Sequence, residues 1–227
     1  MELTVDGEVQ ILTLDADHQV LNPATVAAWG DVLDRIDALE GPAALVITGS
    51  GRSFHQGLDL QAMSTLGEGT GDFIRSVHQL FGRLLRLDLP TVAAVNGHAQ
   101  AAGAMLVQCA DLRIMRAERG WFRLPEVELG LPFTVVMQHL LATRLPHPGQ
   151  HRLMVLGEQV GGADAARLGA VDHAVEGEDA ALAVAVDRAA ALARFRGPTL
   201  HTIRTRLYAD LLAVIDADLD RADPFSH

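Results

Sequence analysis

Two short runs of residues restrict the fold more than anything else in this chain. Ala44–Thr48 and Thr91–Val95 carry no charge, and each breaks at a glycine-bearing loop, Gly49-Ser50-Gly51 and Asn96-Gly97. A strand without polar alternation has no face to offer water, so it must be covered on both sides. Around these runs the apolar spacing becomes helical. Val26, Trp29, Val32, Leu33, Ile36 and Leu39 mark one stripe, and Phe73, Val77, Leu80, Phe81, Leu84 and Leu85 another. Strands that alternate with helices pair in parallel, which predicts an α/β layer architecture.

Residues 2–14 alternate apolar and polar around Asp6-Gly7 and read as a β-hairpin. Asn22-Pro23 offers a cap and a first-turn proline for the helix that follows, which should stop near Gly41-Pro42. The small residues Ala99–Leu106 read as a tightly packed helix start, and Leu112–Met115 and Trp121–Leu124 as strands. Further helices are predicted over Val135–Arg144, Gln150–Leu156, Ala163–Leu168, Asp179–Arg194 and Thr199–Leu219. Gly67–Gly71 is the one flexible-looking segment, and residues 61–75 read as a loop that supplies pocket walls. The simplest organisation is a single domain over 1–227, with an α/β core to about residue 175 and helices over about 176–227.

Composition removes several classes of function. A formal net charge of -11 argues against broad binding to nucleic acid or to anionic membranes, both of which need basic surface. Apart from histidine every basic residue is arginine, so Schiff-base chemistry and a lysine-bearing phosphate loop are excluded. The single cysteine, Cys109, sits in the apolar run Met105–Cys109 and reads as a buried small hydrophobe. His147 and His151 are four apart, but Pro148 and Gly149 intervene and no carboxylate accompanies them, so no metal site is expected. No apolar stretch approaches the roughly 18 residues of a membrane span. The acidic start MELTVDGEVQ is unlike a targeting peptide, and Phe225-Ser226-His227 is not a peroxisomal address. The expectation is a soluble, cytoplasmic protein.

Chemistry is expected where the two buried strands end. Ser53–Leu60 follows the first and Asn96–Gly103 the second, and both are rich in small residues that let main chain approach a ligand. Two such loops on neighbouring strands could aim two N–H donors at one oxygen; equally, they could be ordinary strand–helix turns. His55 and His98 lie in these loops as pocket or structural candidates.

Several segments resemble the crotonase (enoyl-CoA hydratase/isomerase) superfamily, in the order and spacing found there from about Val5 to Val175. They are Gly57-Leu58-Asp59-Leu60, Leu89–Ala99, Leu124–Leu131 and Gly162–Val171. The resemblance implies a crotonase-like core of ββα repeats with a helical C-terminal part. It also implies an acyl-CoA thioester substrate, with coenzyme A as part of that substrate and no separate cofactor. A homotrimer or dimer of trimers is expected on the same ground. The backbone N–H groups of Leu58 and Ala102 would form an oxyanion hole, with Ala102 standing where the family usually has glycine. Glu126 would be the acid–base residue. Arg52 would meet a phosphate of CoA, and the backbone about Leu58, Asp59 and Leu60 the adenine.

Family members that hydrate a double bond use two glutamates, and one of these positions is Met105 here. One carboxylate suits proton shuttling, and the loops look most like those of plant-type Δ3,Δ2-enoyl-CoA isomerases. Glu128 is the rival base: an extended segment would put it on the face of Glu126, and a helix or sharp turn would separate them. Other readings are an enoyl-CoA hydratase, a thioester hydrolase or a C–C lyase drawing on Asp72, Glu68 or His139, or a silent acyl-CoA-binding protein.

Overall fold

The computed structural model describes residues 1–221 and 224, so Phe225-Ser226-His227 lies outside the described residues. The chain opens with the hairpin β1 (Glu2–Asp6) and β2 (Val9–Leu14), followed by α1 (Pro23–Asp37), whose first turn is closed by reciprocal bonds between Asn22 and Thr25. Three similar units come next. Strands β3 (Ala44–Gly49) and β4 (Ser53–His55) lead to α2 (Leu60–Thr65) and α3 (Thr70–Arg86). Strands β5 (Thr91–Val95) and β6 (His98–Gln100) lead to α4 (Ala102–Gln108). Strands β7 (Leu112–Arg116) and β8 (Phe122–Arg123) lead to α5 (Glu126–Leu129).

The first strand of each unit joins a six-stranded sheet of order β1-β2-β3-β5-β7-β9, and the second joins a three-stranded sheet of order β4-β6-β8. Among the strand pairings of the described residues only β1–β2 is antiparallel, and Phe122 makes a single antiparallel bridge to Val160. Helices α6 (Val135–Arg144), α7 (His147–Gln150) and α8 (Gly162–Arg167) precede β9 (His173–Val175). The chain then continues with α9 (Ala180–Leu192), α10 (Pro198–Leu207) and α11 (Ala209–Ala217).

Both faces of the large sheet are dry, as the uncharged runs require. Leu45, Ile47, Ala93 and Val95 point into the main core with Trp29, Phe54 and Phe81. Their neighbours Ala44, Val46, Val92 and Ala94 point the other way, onto Ala181, Ala185, Ala189 and Ala193. Those alanines recur every four residues along α9 and the turn just after it, so this segment meets the sheet on a stripe with almost no side-chain bulk. Asn96 ties the two loops at the strand ends together, accepting from Gly49 N at 3.1 Å and donating to Gly51 O at 3.3 Å.

Several expected elements are placed differently. The helix foreseen from Ala99 starts at Ala102, because Ala99 and Gln100 pair with Phe122 and Arg123 in the small sheet. Residues 61–75 are mostly helical, and Gly71 lies inside α3. The helix foreseen over Gln150–Leu156 starts at His147 and widens into a π-type turn over His151–Val155. The long C-terminal helix is broken at Tyr208, whose φ of -105° and ψ of 21° let α11 turn so that Leu211, Leu212 and Ile215 reach the core. No helix among the described residues is long and apolar enough to cross a membrane.

Candidate active site

The first loop is anchored by main chain. Leu21 N donates to Gly57 O and Asp59 N to Leu21 O, both at 2.8 Å. In such a bridge the N–H of the intervening residue points the opposite way, so Leu58 turns its N–H away from Leu21. Fully buried His55 holds the same turn, its Nδ1 accepting from Gly57 N at 3.0 Å. Burial pushes its pKa down to about 3, so the ring is neutral and serves the loop as an acceptor. His98 lies outside the lining of the pocket described below, its ring packed at a 38° tilt against Trp121 with 3.6 Å between centroids.

The second loop leaves a further backbone N–H free. Ala101 N donates to Arg123 O at 3.0 Å, and the first helical bond of α4 runs from Met105 N to Ala101 O. Ala102 is therefore the first residue of a helix whose cap offers no side-chain acceptor, and its N–H has no intrahelical partner. Ala101 is the one described non-glycine residue with positive φ, at 49°, a conformation that costs roughly 1–3 kcal/mol. The loops touch through backbone. A Cβ at Gly57, where φ is 96°, would come within 2.8 Å of Ala101 Cβ and 3.1 Å of Ala102 N. A Cβ at Gly103 would meet His55 O at 2.3 Å. Only glycine at both positions lets the two loops approach this closely.

Leu58, Leu60, Ala102 and Glu126 all line one pocket, whose remaining wall includes Met63, Ile74, Met105 and Met137. Among the described residues Glu126 is the only titratable one lining it. It is 9% exposed, and its Oε2 is buried without a hydrogen-bond partner. Loss of solvent raises its pKa to about 7, against a smaller lowering by its own backbone N–H. A group that is half ionised near neutrality can both take and return a proton there. Glu128 diverges: α5 turns it outward to pair with Arg123 at the surface.

Two residues assigned from sequence to CoA do not join this pocket. Arg52 is exposed on the turn between β3 and β4. Asp59 spends its polar groups on the fold: its N–H goes to Leu21 O, its O accepts from Met63 N, and its side chain caps α2 through Ala62 N at 2.9 Å. Cys109 is buried, its thiol pushed up to about 12, and it donates to Met105 O at 3.4 Å. Asp72, exposed, pairs with Arg75, and exposed His139 bonds to Val135 O on its own helix. Met63 and Ile74 fall in the 61–75 segment expected to supply pocket walls, whereas Thr134 and Met137 had not been read from the sequence. Those two lie beyond the glutamate-loop motif, and no local pattern marks them.

The sequence profile of enoyl-CoA hydratase/isomerase matches residues 6–214. The chain belongs to that family. Enoyl-CoA delta isomerase 3 of Arabidopsis thaliana is 29% identical over 220 residues, which span 92% of each chain. The peroxisomal enoyl-CoA delta isomerase 2 of the same plant is 30% identical over 222 residues, again 92% of each. Among solved structures, a Mycobacterium tuberculosis enoyl-CoA isomerase superposes with a TM-score of 0.88 at 27% identity, covering 96% of this chain and 95% of that one. An enoyl-CoA hydratase from Mycobacterium ulcerans also gives 0.88, at 26% identity and 96% coverage of both. The paired sheets and ββα units are thus the crotonase fold, and the enzyme family is settled. Because isomerases and hydratases both stand among the relatives, the reaction has to be argued from the pocket.

Proposed function

We propose that this protein is a Δ3,Δ2-enoyl-CoA isomerase in which Glu126 moves a proton along the acyl chain. The observation that carries this reading is a pocket with a single carboxylate, largely desolvated and with one oxygen buried without a hydrogen-bond partner, while Met105 lines the same wall. Hydration needs a second group to orient or activate water, and a methionine thioether does neither. Glu126 takes a proton from C2 of a 3-enoyl thioester. The electron pair spreads through C2–C3–C4 and onto the thioester oxygen as a dienolate. The same carboxyl then delivers the proton to C4, leaving the double bond between C2 and C3.

The N–H groups of Leu58 and Ala102 act as the oxyanion hole for that oxygen. Their charge complement grows as the dienolate forms, so they stabilise the transition state more than the substrate. Removing one such donor costs about 3–4 kcal/mol in comparable enzymes. Coenzyme A enters as part of the substrate, with exposed Arg52, outside the pocket lining, as the candidate phosphate contact. If Arg52→Ala leaves CoA-ester affinity unchanged, that contact is wrong. A cytoplasmic site of action and a trimer or dimer of trimers complete the reading; exposed Val155, Leu156, Ile203 and Leu207 are apolar surface that assembly would bury.

The test is to incubate purified protein with 3-hexenoyl-CoA and with 2-hexenoyl-CoA. Conjugation of the first without hydration of the second supports the isomerase. Hydration contradicts it, and so does release of free CoA.

A further inference from the structure

Three buried polar side chains form a chain that ends on the wall of this pocket. Asp218, in the turn after α11, lies 2.6 Å through Oδ2 from Nδ1 of His78 on α3. His78 Nε2 lies 2.9 Å from Oγ1 of Thr134, the residue that caps α6 by accepting from Met137 N at 3.2 Å. None of the three is more than 2% exposed. Desolvation lowers the pKa of His78 more than Asp218 restores it, so the imidazole is neutral near pH 7. Nδ1–H then donates to the carboxylate, and Nε2 accepts from the Thr134 hydroxyl.

Burying a carboxylate and an imidazole is costly, and a wall that needed packing alone could be made of hydrocarbon. What the polar chain adds is a fixed geometry among three separate elements. Ile74 stands one turn before His78 on α3, and Met137 stands one turn after Thr134 on α6. Both line the pocket with Thr134. We propose that His78 and Asp218 are positioning residues that fix Thr134 and the start of α6, so that Ile74, Thr134 and Met137 set how deep an acyl chain can enter. The proposal rests on the acyl-CoA reading of the pocket. It identifies the specificity wall as the junction of α3, α6 and the C-terminal turn.

Binding of the saturated esters butyryl-CoA and decanoyl-CoA to the full-length protein tests this without requiring turnover. Thr134→Val keeps the shape and removes the hydroxyl; His78→Asn can still reach Asp218 but not Thr134. Both are expected to loosen the wall and raise decanoyl affinity relative to butyryl by about tenfold or more, the scale on which a pocket discriminates single methylenes. Thr134→Ser, which restores the hydrogen bond, should keep the wild-type ratio. A merely structural role would lower the thermal midpoint while leaving the ratio in place. The proposal is overturned if Thr134→Val keeps the wild-type ratio, and this variant decides the matter even if His78→Asn fails to fold. It is also overturned if mass spectrometry finds an acyl adduct on Thr134, which would make that residue a nucleophile. A wild-type protein that binds neither ester would overturn the functional reading along with it.

Discussion

Glu126 combines two properties that pull against each other. Its desolvation raises the pKa to about 7 from an ordinary 4.5, which suits a base working near neutrality and burdens the fold. Between those two values the native state keeps a proton that the unfolded chain has lost, so stability from this group falls as pH rises through that window. Glu126→Gln should therefore be more stable than the wild type at pH 8 by about 1–3 kcal/mol, the advantage fading by pH 4. Urea denaturation at the two pH values checks this, and an equal stability at pH 8 would contradict the raised pKa. The same shift predicts that kcat/KM for isomerisation falls about tenfold per unit below roughly pH 7, as the base becomes protonated. Glu126 was legible because it sits in a recognisable loop. The partnerless Oε2 and the outward turn of Glu128 were not, since both depend on how α5 packs beneath the pocket.

At the scale of elements, the site is an agreement between two loops. Ala101 and Gly57 show how tight that agreement is. Ala101→Gly removes a side chain from a φ of 49° and should stabilise the protein by about 1 kcal/mol, read from the thermal midpoint. Gly57→Ala places a methyl 2.8 Å from Ala101 Cβ and 3.1 Å from Ala102 N, at a φ of 96°. It should push the two donors apart and lower kcat by at least about 10²-fold, as loss of an oxyanion donor does, with the folded core retained. An active Gly57→Ala enzyme would show that the loops need not meet. The long uncharged strands and amphipathic helices were readable because their spacing repeats over many residues. Strand β8 was foreseen within Trp121–Leu124, but β4 and β6 were obscured, being three residues each and defined by partners 23 to 45 positions away. That is also why the helix foreseen from Ala99 begins three residues later.

At the scale of the molecule, the C-terminal helices are tied to the core by few but buried groups. Arg204, 5% exposed on α10, donates to Leu87 O, to Leu89 O and to Asp111. Asp111 in turn accepts from Thr91 N at the start of β5. Arg204→Ala leaves those carbonyls and that carboxylate short of a partner and should cost about 3 kcal/mol in urea denaturation. A loss below about 0.5 kcal/mol would mean that α10 is held by packing alone. The sequence of this region marked helices without saying where they dock. The break at Tyr208 and the return of Asp218 to His78 join segments 140 residues apart, and only the folded chain brings them together.

The claim that matters most is that one carboxylate performs the chemistry. It is tested by incubating wild type and Glu126→Gln with 3-hexenoyl-CoA and following formation of the conjugated 2-enoyl thioester, with CoA-ester binding measured in parallel. The account predicts conjugation by the wild type, none above background by Glu126→Gln, and binding retained in both. Isomerisation that survives in Glu126→Gln would contradict it.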